Sequence, residues 1–294
     1  MLRDRAPLPL RHAIVLGLAH GPTELLPISS SAHTILIPWL AGWPYDELDP
    51  ELRKSFEVAL HAGTAAALLA DLRAIESHPG LAAVLRRATG AQGFPASQAL
   101  LVTLSFIPPA VVGYTFEQPL QRRLSGLHTI AAGLLLGGVA MALADSRPGG
   151  GARALAQAGW FDGLLLGLAQ TCALVPGVSR SGAVLSMARA RGFSRIDSDT
   201  LARRTGLPVI LGAGALKTAR LFQNGGTGGT PISAGRTLAL GGTASFISTL
   251  AATRLLRADG NTRHTGSLLP YSIYRGLLAA LVIRRLRRAH NRST

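Results

Sequence analysis

The chain has 294 residues, 48% of them hydrophobic and 15% charged, with a formal net charge of +15. Soluble domains carry about 25% charged residues, so the composition excludes an ordinary soluble fold and points to one polytopic membrane domain over residues 1–294. The single cysteine, Cys172, excludes an intrachain disulfide and a cysteine metal cluster, and arginines set in short loops between apolar segments favour anionic lipid headgroups over nucleic acid as partner.

In chain order, Arg3, Asp4, Arg5 and Arg11 precede the first apolar run, but a proline and a glutamate soon follow, so no cleavable signal peptide is expected. Residues 12–41 are long enough to cross a bilayer but are interrupted at Pro22 and Pro27. Proline removes a backbone donor and disfavours helix at the preceding residue, which predicts two half-helices forming a re-entrant hairpin. Full spans are expected over 55–73, 97–116 and 126–145, since about 20 apolar residues cross the hydrocarbon core. A linker, 145–159, leads to a second interrupted stretch, 160–189, broken at Pro176-Gly177. Spans 204–222, 235–255 and 268–286 follow, with a glycine-rich linker at 223–235.

The two interrupted stretches contain the same phrase. GLAHGPTELLPISSSAH (17–33) lies over GLAQTCALVPGVSRSGA (167–183), so that Ile28-Ser29-Ser30-Ser31 faces Val178-Ser179-Arg180-Ser181. The expected architecture is therefore an all-α integral membrane protein with an inverted-topology repeat. Each half is a re-entrant helical hairpin plus three transmembrane helices, repeat 1 at about 8–145 and repeat 2 at about 160–288. Three spans between the hairpins make them open on opposite faces. Breaks at matching places in two halves point to a binding site near the membrane midplane, where Glu24 and Arg180 are expected to meet. The basic residues divide almost evenly between the two faces, so charge does not fix orientation.

Glu24 is a charge in an apolar run and calls for a wet cavity or a partner. His20 precedes it by one helical turn, on the same face; the pair either fastens helices or works in a site. Ser29, Ser30 and Ser31 follow Pro27. Serine caps helices well, and a helix start with free N–H groups is also a phosphate seat. A serine hydroxyl there can attack phosphorus if a base takes its proton, and His33 is placed to serve as that acid or base. Arg180, between Ser179 and Ser181, has the planar fork that holds a phosphate bidentately, or else forms a salt bridge with Glu24. Gly177 and Gly182 allow close backbone approach. Arg275 is balanced between lipid or phosphate contact and snorkelling from a helix end. Glu57, His61 and Gln170 are polar positions in apolar runs, suited to lining a cavity.

At these motifs the chain resembles the undecaprenyl-diphosphate phosphatase family, bacterial integral-membrane enzymes linked to bacitracin resistance. The family's first motif is an acidic residue or glutamine, three others, then glutamate and a Pro-x-Ser-Ser-x-x-His stretch, and it is similar to His20 through His33. The second, Pro-Gly-x-Ser-Arg-Ser-Gly, is matched by Pro176 to Gly182, and FEVALHAGT (56–64), SFIPPAVVG (105–113) and PYSIYR (270–275) extend the likeness along the chain. The resemblance implies release of the terminal phosphate of undecaprenyl diphosphate, recycling the lipid carrier of cell-wall synthesis. It also implies a multi-pass place in the bacterial plasma membrane with the site facing outward, and help from a divalent cation, Mg or Ca. It carries the catalytic roles to Glu24, Ser30, His33 and Arg180. Ser29, Ser31, Ser179, Ser181, Gly177 and Arg275 become substrate contacts, and Glu24 with His20 the metal position.

Three departures stand out. His20 occupies the place of a usual carboxylate or glutamine, and a hard cation prefers oxygen ligands. Ala32 replaces a glycine, and ARRTGLPVI (202–210) replaces a Phe-Ser-Phe stretch. Protonated beside Glu24, His20 would supply part of a metal's charge, which predicts weaker dependence on divalent cations than in relatives. The alternatives to a phosphatase are a transporter of lipid phosphate or another anion, and a catalytically inactive paralogue on the same fold. A homodimer is compatible with the chain.

Overall fold

Serine and proline decide where the helices stop and restart. The computed structural model describes residues 8–45, 47–76, 96–146, 152–223, 232–258 and 266–293. Among these are ten α-helices and one 3-10 turn, Leu155–Gln157, with no extended strand. The helices are α1 (Leu10–Leu25), α2 (Ser30–Ala41), α3 (Pro50–Glu76), α4 (Ala96–Leu124) and α5 (Leu127–Asp145), then α6 (Trp160–Cys172), α7 (Arg180–Ala190), α8 (Arg195–Gln223), α9 (Ile232–Ala258) and α10 (Leu269–Ser293).

The first interrupted stretch is α1 and α2, the second α6 and α7. Pro22 does not break the chain as expected: α1 runs through it, and the Thr23 hydroxyl donates to the carbonyls of Ala19 (2.9 Å) and His20 (3.1 Å). A proline near the end of a helix removes one hydrogen bond and leaves the rest intact. The break comes at Pro27. Ser29 takes φ 74°, and its Oγ accepts from Ala32 N at 3.4 Å, opening α2. In the second stretch Gly177 takes φ 97°, and Ser179 Oγ accepts from Gly182 N at 3.2 Å, opening α7. Each helix start is thus capped by the serine at the same place in the repeated phrase. The six full spans expected from hydropathy fall within α3, α4, α5, α8, α9 and α10, apart from the first residue of the spans at 126–145 and 268–286. Most of the glycine-rich linker at 223–235 lies outside the described residues.

The chain divides into two units, and each draws on both halves of the sequence. The first comprises residues 1–25, 33–92 and 210–256. In it α1 packs against α9 so closely that a methyl on Gly17 would strike the Gly241 carbonyl oxygen and Ala244 Cβ, while Ser248 Oγ donates to Gly17 O at 3.0 Å. Leu16, Phe56 and Leu60 form its buried core.

The second unit comprises residues 26–32, 93–209 and 257–294. Here α6 packs against α4, and a methyl on Gly167 would lie 2.9 Å from Leu104 O and from the Pro108 ring. Gly17 and Gly167 hold the same place in the repeated phrase, and α9 and α4 are the matching spans of the two halves. Met141, Leu166, Val184, Leu185 and Phe193 fill the core. The helix ends are fastened by Asp145, whose carboxylate accepts from Arg189 Nε (3.0 Å), Arg195 Nε (2.9 Å), Ser267 Oγ (3.0 Å) and Leu268 N (2.9 Å). Asp162 similarly accepts from Arg153 and Arg191.

Both kinds of contact contribute measurably to stability. Gly17→Val overpacks the α1–α9 contact and lowers stability by about 1–3 kcal/mol. Asp145→Ala removes the carboxylate from beside the buried Arg189 and lowers it by about 3–5 kcal/mol. Thermal unfolding in detergent measures both.

Candidate active site

The chain at the two breaks, residues 26–32 and 176–182, belongs to one unit, and the two stretches are bonded to each other. Ser181 Oγ donates to Leu26 O at 3.1 Å. Arg275, from α10, donates from Nη1 to Pro27 O (3.1 Å), from Nη2 to Gly177 O (2.9 Å) and Gly133 O (3.1 Å), and from Nε to Leu134 O (3.2 Å). A broken helix leaves carbonyls without intrahelical partners, and arginine offers five donors in a fixed fork. Arg275 is fully buried, at 0% exposure. It is therefore not a snorkelling side chain, and four of its hydrogen bonds go to backbone carbonyls.

The structure sorts the six serine and arginine positions by task. Ser29 and Ser179 are the caps, both buried. Ser31 is exposed, with its Oγ 3.2 Å from Ser29 Oγ; Ser181 Oγ is 3.1 Å from Ser179 Oγ. Ser30, buried, and Arg180, half-buried, are the first residues of α2 and α7. Arg180 extends toward α8, where a methyl on Gly206 would strike its Nη1. Gly177 carries positive φ and so close an approach to Ile130 O and Leu134 N that a side chain is excluded on both grounds. Two capped helix starts in one unit offer free N–H groups and two positive dipole ends, an arrangement suited to an anion.

In the first unit, His20 and Glu24 share a face of α1 as their spacing requires, and His61 of α3 joins them: one ligand-capable atom from each lies within 4.8 Å of the others. The His61 ring packs edge-on against His20, with centroids 4.8 Å apart. His61 Nδ1 donates to Glu57 O at 2.8 Å. His20 Nδ1 lies 3.1 Å from Thr64 Oγ1 and 3.3 Å from Ser245 Oγ, and Ser245 Oγ donates to Leu60 O at 2.8 Å. The sequence placed His61 only on a cavity wall and missed Thr64 and Ser245.

A signal for Ser245 was present. The tripeptide Ser-Phe-Ile occurs at 105–107 and again at 245–247, in the matching spans α4 and α9. Gln170, which holds the place of His20 in the second phrase, donates from Nε2 to Ser105 O at 3.0 Å. The same two positions of each half therefore meet in each unit. Of the four residues expected to carry catalysis, Glu24 and His33 belong to the first unit, Ser30 and Arg180 to the second.

Exchanging Arg275 for lysine keeps the charge but replaces the fork by a point donor, leaving carbonyls among Pro27, Gly133, Leu134 and Gly177 unsatisfied. Arg275→Lys is expected to lower stability by about 3 kcal/mol, read as a fall in the unfolding midpoint.

Comparison with known proteins gives the same reading throughout the chain. The family model described as bacitracin resistance protein BacA matches residues 13–281. An undecaprenyl-diphosphatase of Geobacter sulfurreducens is 37% identical over 282 residues, covering 93% of this chain and 97% of that one. One of Pelobacter propionicus is 35% identical, covering 93% and 96%, and one of Moorella thermoacetica 34%, covering 92% and 95%.

Proposed function

The chain belongs to the bacitracin resistance protein BacA family, and on that premise we propose that it is a membrane phosphatase that hydrolyses undecaprenyl diphosphate to the monophosphate and inorganic phosphate. The observation that carries the reading is the pair of serine-capped helix starts in the second unit, tied together through Leu26, Pro27, Gly177, Ser181 and Arg275.

Capping falls to Ser29 and Ser179, so it does not account for Ser30. Ser30 Oγ is the nucleophile. It attacks the terminal phosphorus as the bond to the bridging oxygen breaks, and the lipid monophosphate leaves. Arg180 holds the non-bridging oxygens bidentately, and the helix-start N–H groups add to the charge stabilisation that phosphoryl transfer requires. His33, three residues after Ser30 on α2, takes the serine proton. Water then cleaves the phosphoseryl bond, releasing phosphate and restoring Ser30.

The membrane placement rests on apolar surface. Ser97–Phe116 within α4 and Leu127–Asp145 are long and apolar enough to cross a bilayer, and Leu136, Leu143 and Leu277 are each about two-thirds exposed, a surface suited to lipid. The chain is a multi-pass protein of the bacterial plasma membrane. The inverted repeat, with each interrupted stretch a re-entrant hairpin, is supported by two matched contacts: Gly17 on α9 with Gly167 on α4, and His20 on Ser245 with Gln170 on Ser105.

Magnesium or calcium is the cation the family resemblance implies. Two imidazoles and one carboxylate do not make the all-oxygen set those hard ions prefer, and no step above passes through a metal.

Phosphate release from undecaprenyl diphosphate by the purified chain tests the activity; a transporter of the same fold releases none. Ser30→Ala is expected to abolish turnover, whereas substantial residual activity would make water the attacker and Ser30 a ligand. Arg180→Lys is expected to be nearly as damaging as Arg180→Ala, a loss of about 100-fold or more.

A further inference from the structure

We infer that His20, Glu24 and His61 form a binding site for a nitrogen-preferring divalent transition metal, of the kind typified by zinc or cobalt, rather than for magnesium or calcium. The inference is geometric and does not depend on the phosphatase reading.

The three ligand-capable atoms lie within 4.8 Å of one another. Ligands about 2.0–2.2 Å from a common ion are separated by roughly 3–3.6 Å, so the three atoms would draw together by roughly 1–2 Å at most to close on one. Both rings are held from behind. His61 Nδ1–H donates to Glu57 O, which leaves the lone pair on Nε2. The single proton of Ser245 Oγ goes to Leu60 O, so toward His20 Nδ1 that oxygen can only accept. With the Thr64 and Ser245 hydroxyls both at Nδ1, Nε2 is the nitrogen of His20 that would ligate a metal. A ring nitrogen fixed by a hydroxyl or carbonyl while the other nitrogen ligates is the usual support of a metal-bound histidine.

The chemistry of the set selects the ion. Imidazole suits zinc, cobalt, nickel and iron, whereas magnesium and calcium take oxygen. Two histidines and one carboxylate form a three-ligand set that leaves further positions for oxygen donors.

The test is direct metal binding by the full chain, purified in detergent through a tag without histidines and stripped with chelator. After dialysis against zinc, cobalt, magnesium or calcium singly, metal content is measured by mass spectrometry and the cobalt form by visible absorption. The expected result is about one zinc or cobalt per chain, a cobalt ligand-field band, and no displacement by millimolar magnesium or calcium. His61→Ala and Glu24→Gln should each weaken binding at least tenfold and change the band, while their unfolding midpoints in chelator stay close to that of the unmodified chain. Should a variant unfold, His20→Glu supplies the second check: it should weaken zinc and cobalt binding and strengthen magnesium binding. The inference is overturned if neither zinc nor cobalt is retained, which would leave a protonated His20 paired with Glu24. It is equally overturned if magnesium or calcium competes on equal terms, or if the variants keep the same stoichiometry and the same cobalt spectrum.

Discussion

The second unit depends on how the backbone is satisfied where two helices are deliberately broken. A chain that interrupts itself inside an apolar environment exposes carbonyls that water cannot reach, and each unsatisfied group is destabilising by about 1–3 kcal/mol. Arg275 answers this at one point, donating to Pro27 and Gly177 from the two breaks and to Gly133 and Leu134 of α5. It fixes the two serine-bearing segments relative to each other, and so the directions in which α2 and α7 start. The charge stays buried because four carbonyl dipoles replace the hydration it gives up. Even the glycine at 137 belongs to this arrangement, since a methyl there would occupy the space of the guanidinium.

Close approach is the complementary requirement. Gly17 lets α1 lie against the backbone of α9, and Gly167 lets α6 lie against α4. In both cases the interrupted stretch packs on a span from the other half of the sequence, which is why the units cut across the halves. Hydroxyls then line the contact in the first unit: Thr64 Oγ1 lies 3.0 Å from Ser245 Oγ and 3.2 Å from Thr249 Oγ1. Those hydroxyls orient His20, so an interface built for packing also sets the chemistry of an ionisable group.

Much of this was legible in the sequence and some was not. Hydropathy located all six long helices because apolar length is a local property, but not all of their ends: α4 runs on to Leu124 beyond the span at 97–116, and α8 starts at Arg195, ahead of the span at 204–222. The repeated phrase located both breaks, since a proline or a glycine followed by serine acts on its own few residues. Pro22 looks like a second break in the sequence and is not one, because a proline ends a helix only where the residues beyond it cannot resume the helical path. Arg275 was beyond a local reading: its partners lie 98 to 248 residues away in sequence, and an isolated arginine near a helix start looks like any other. His61 escaped for the same reason, since its nearness to His20 is set by α1 and α3 both packing on α9. The Ser-Phe-Ile tripeptide at 105–107 and 245–247 carried the missing information. It marked which span of each half would receive the interrupted stretch.

The repeat also shows where chemistry is free to diverge. Position by position, the two phrases share the capping serine (Ser29, Ser179), the bond from that cap to the backbone three residues on (Ala32, Gly182), and a third serine beside the cap (Ser31, Ser181). These are the features a helix start needs in order to exist, and neither copy can lose them without losing the seat for an anion. The residue between cap and third serine has no such duty. There the copies differ, with Ser30 in one and Arg180 in the other. A first helical residue sits beside the free N–H groups and the positive dipole end, so a side chain placed there acts on whatever anion those groups hold. A hydroxyl at that point can attack, and a guanidinium can grip. One scaffold used twice, with the position after its cap filled once by a hydroxyl and once by a guanidinium, holds two side chains of the kinds that transfer of a phosphoryl group would require.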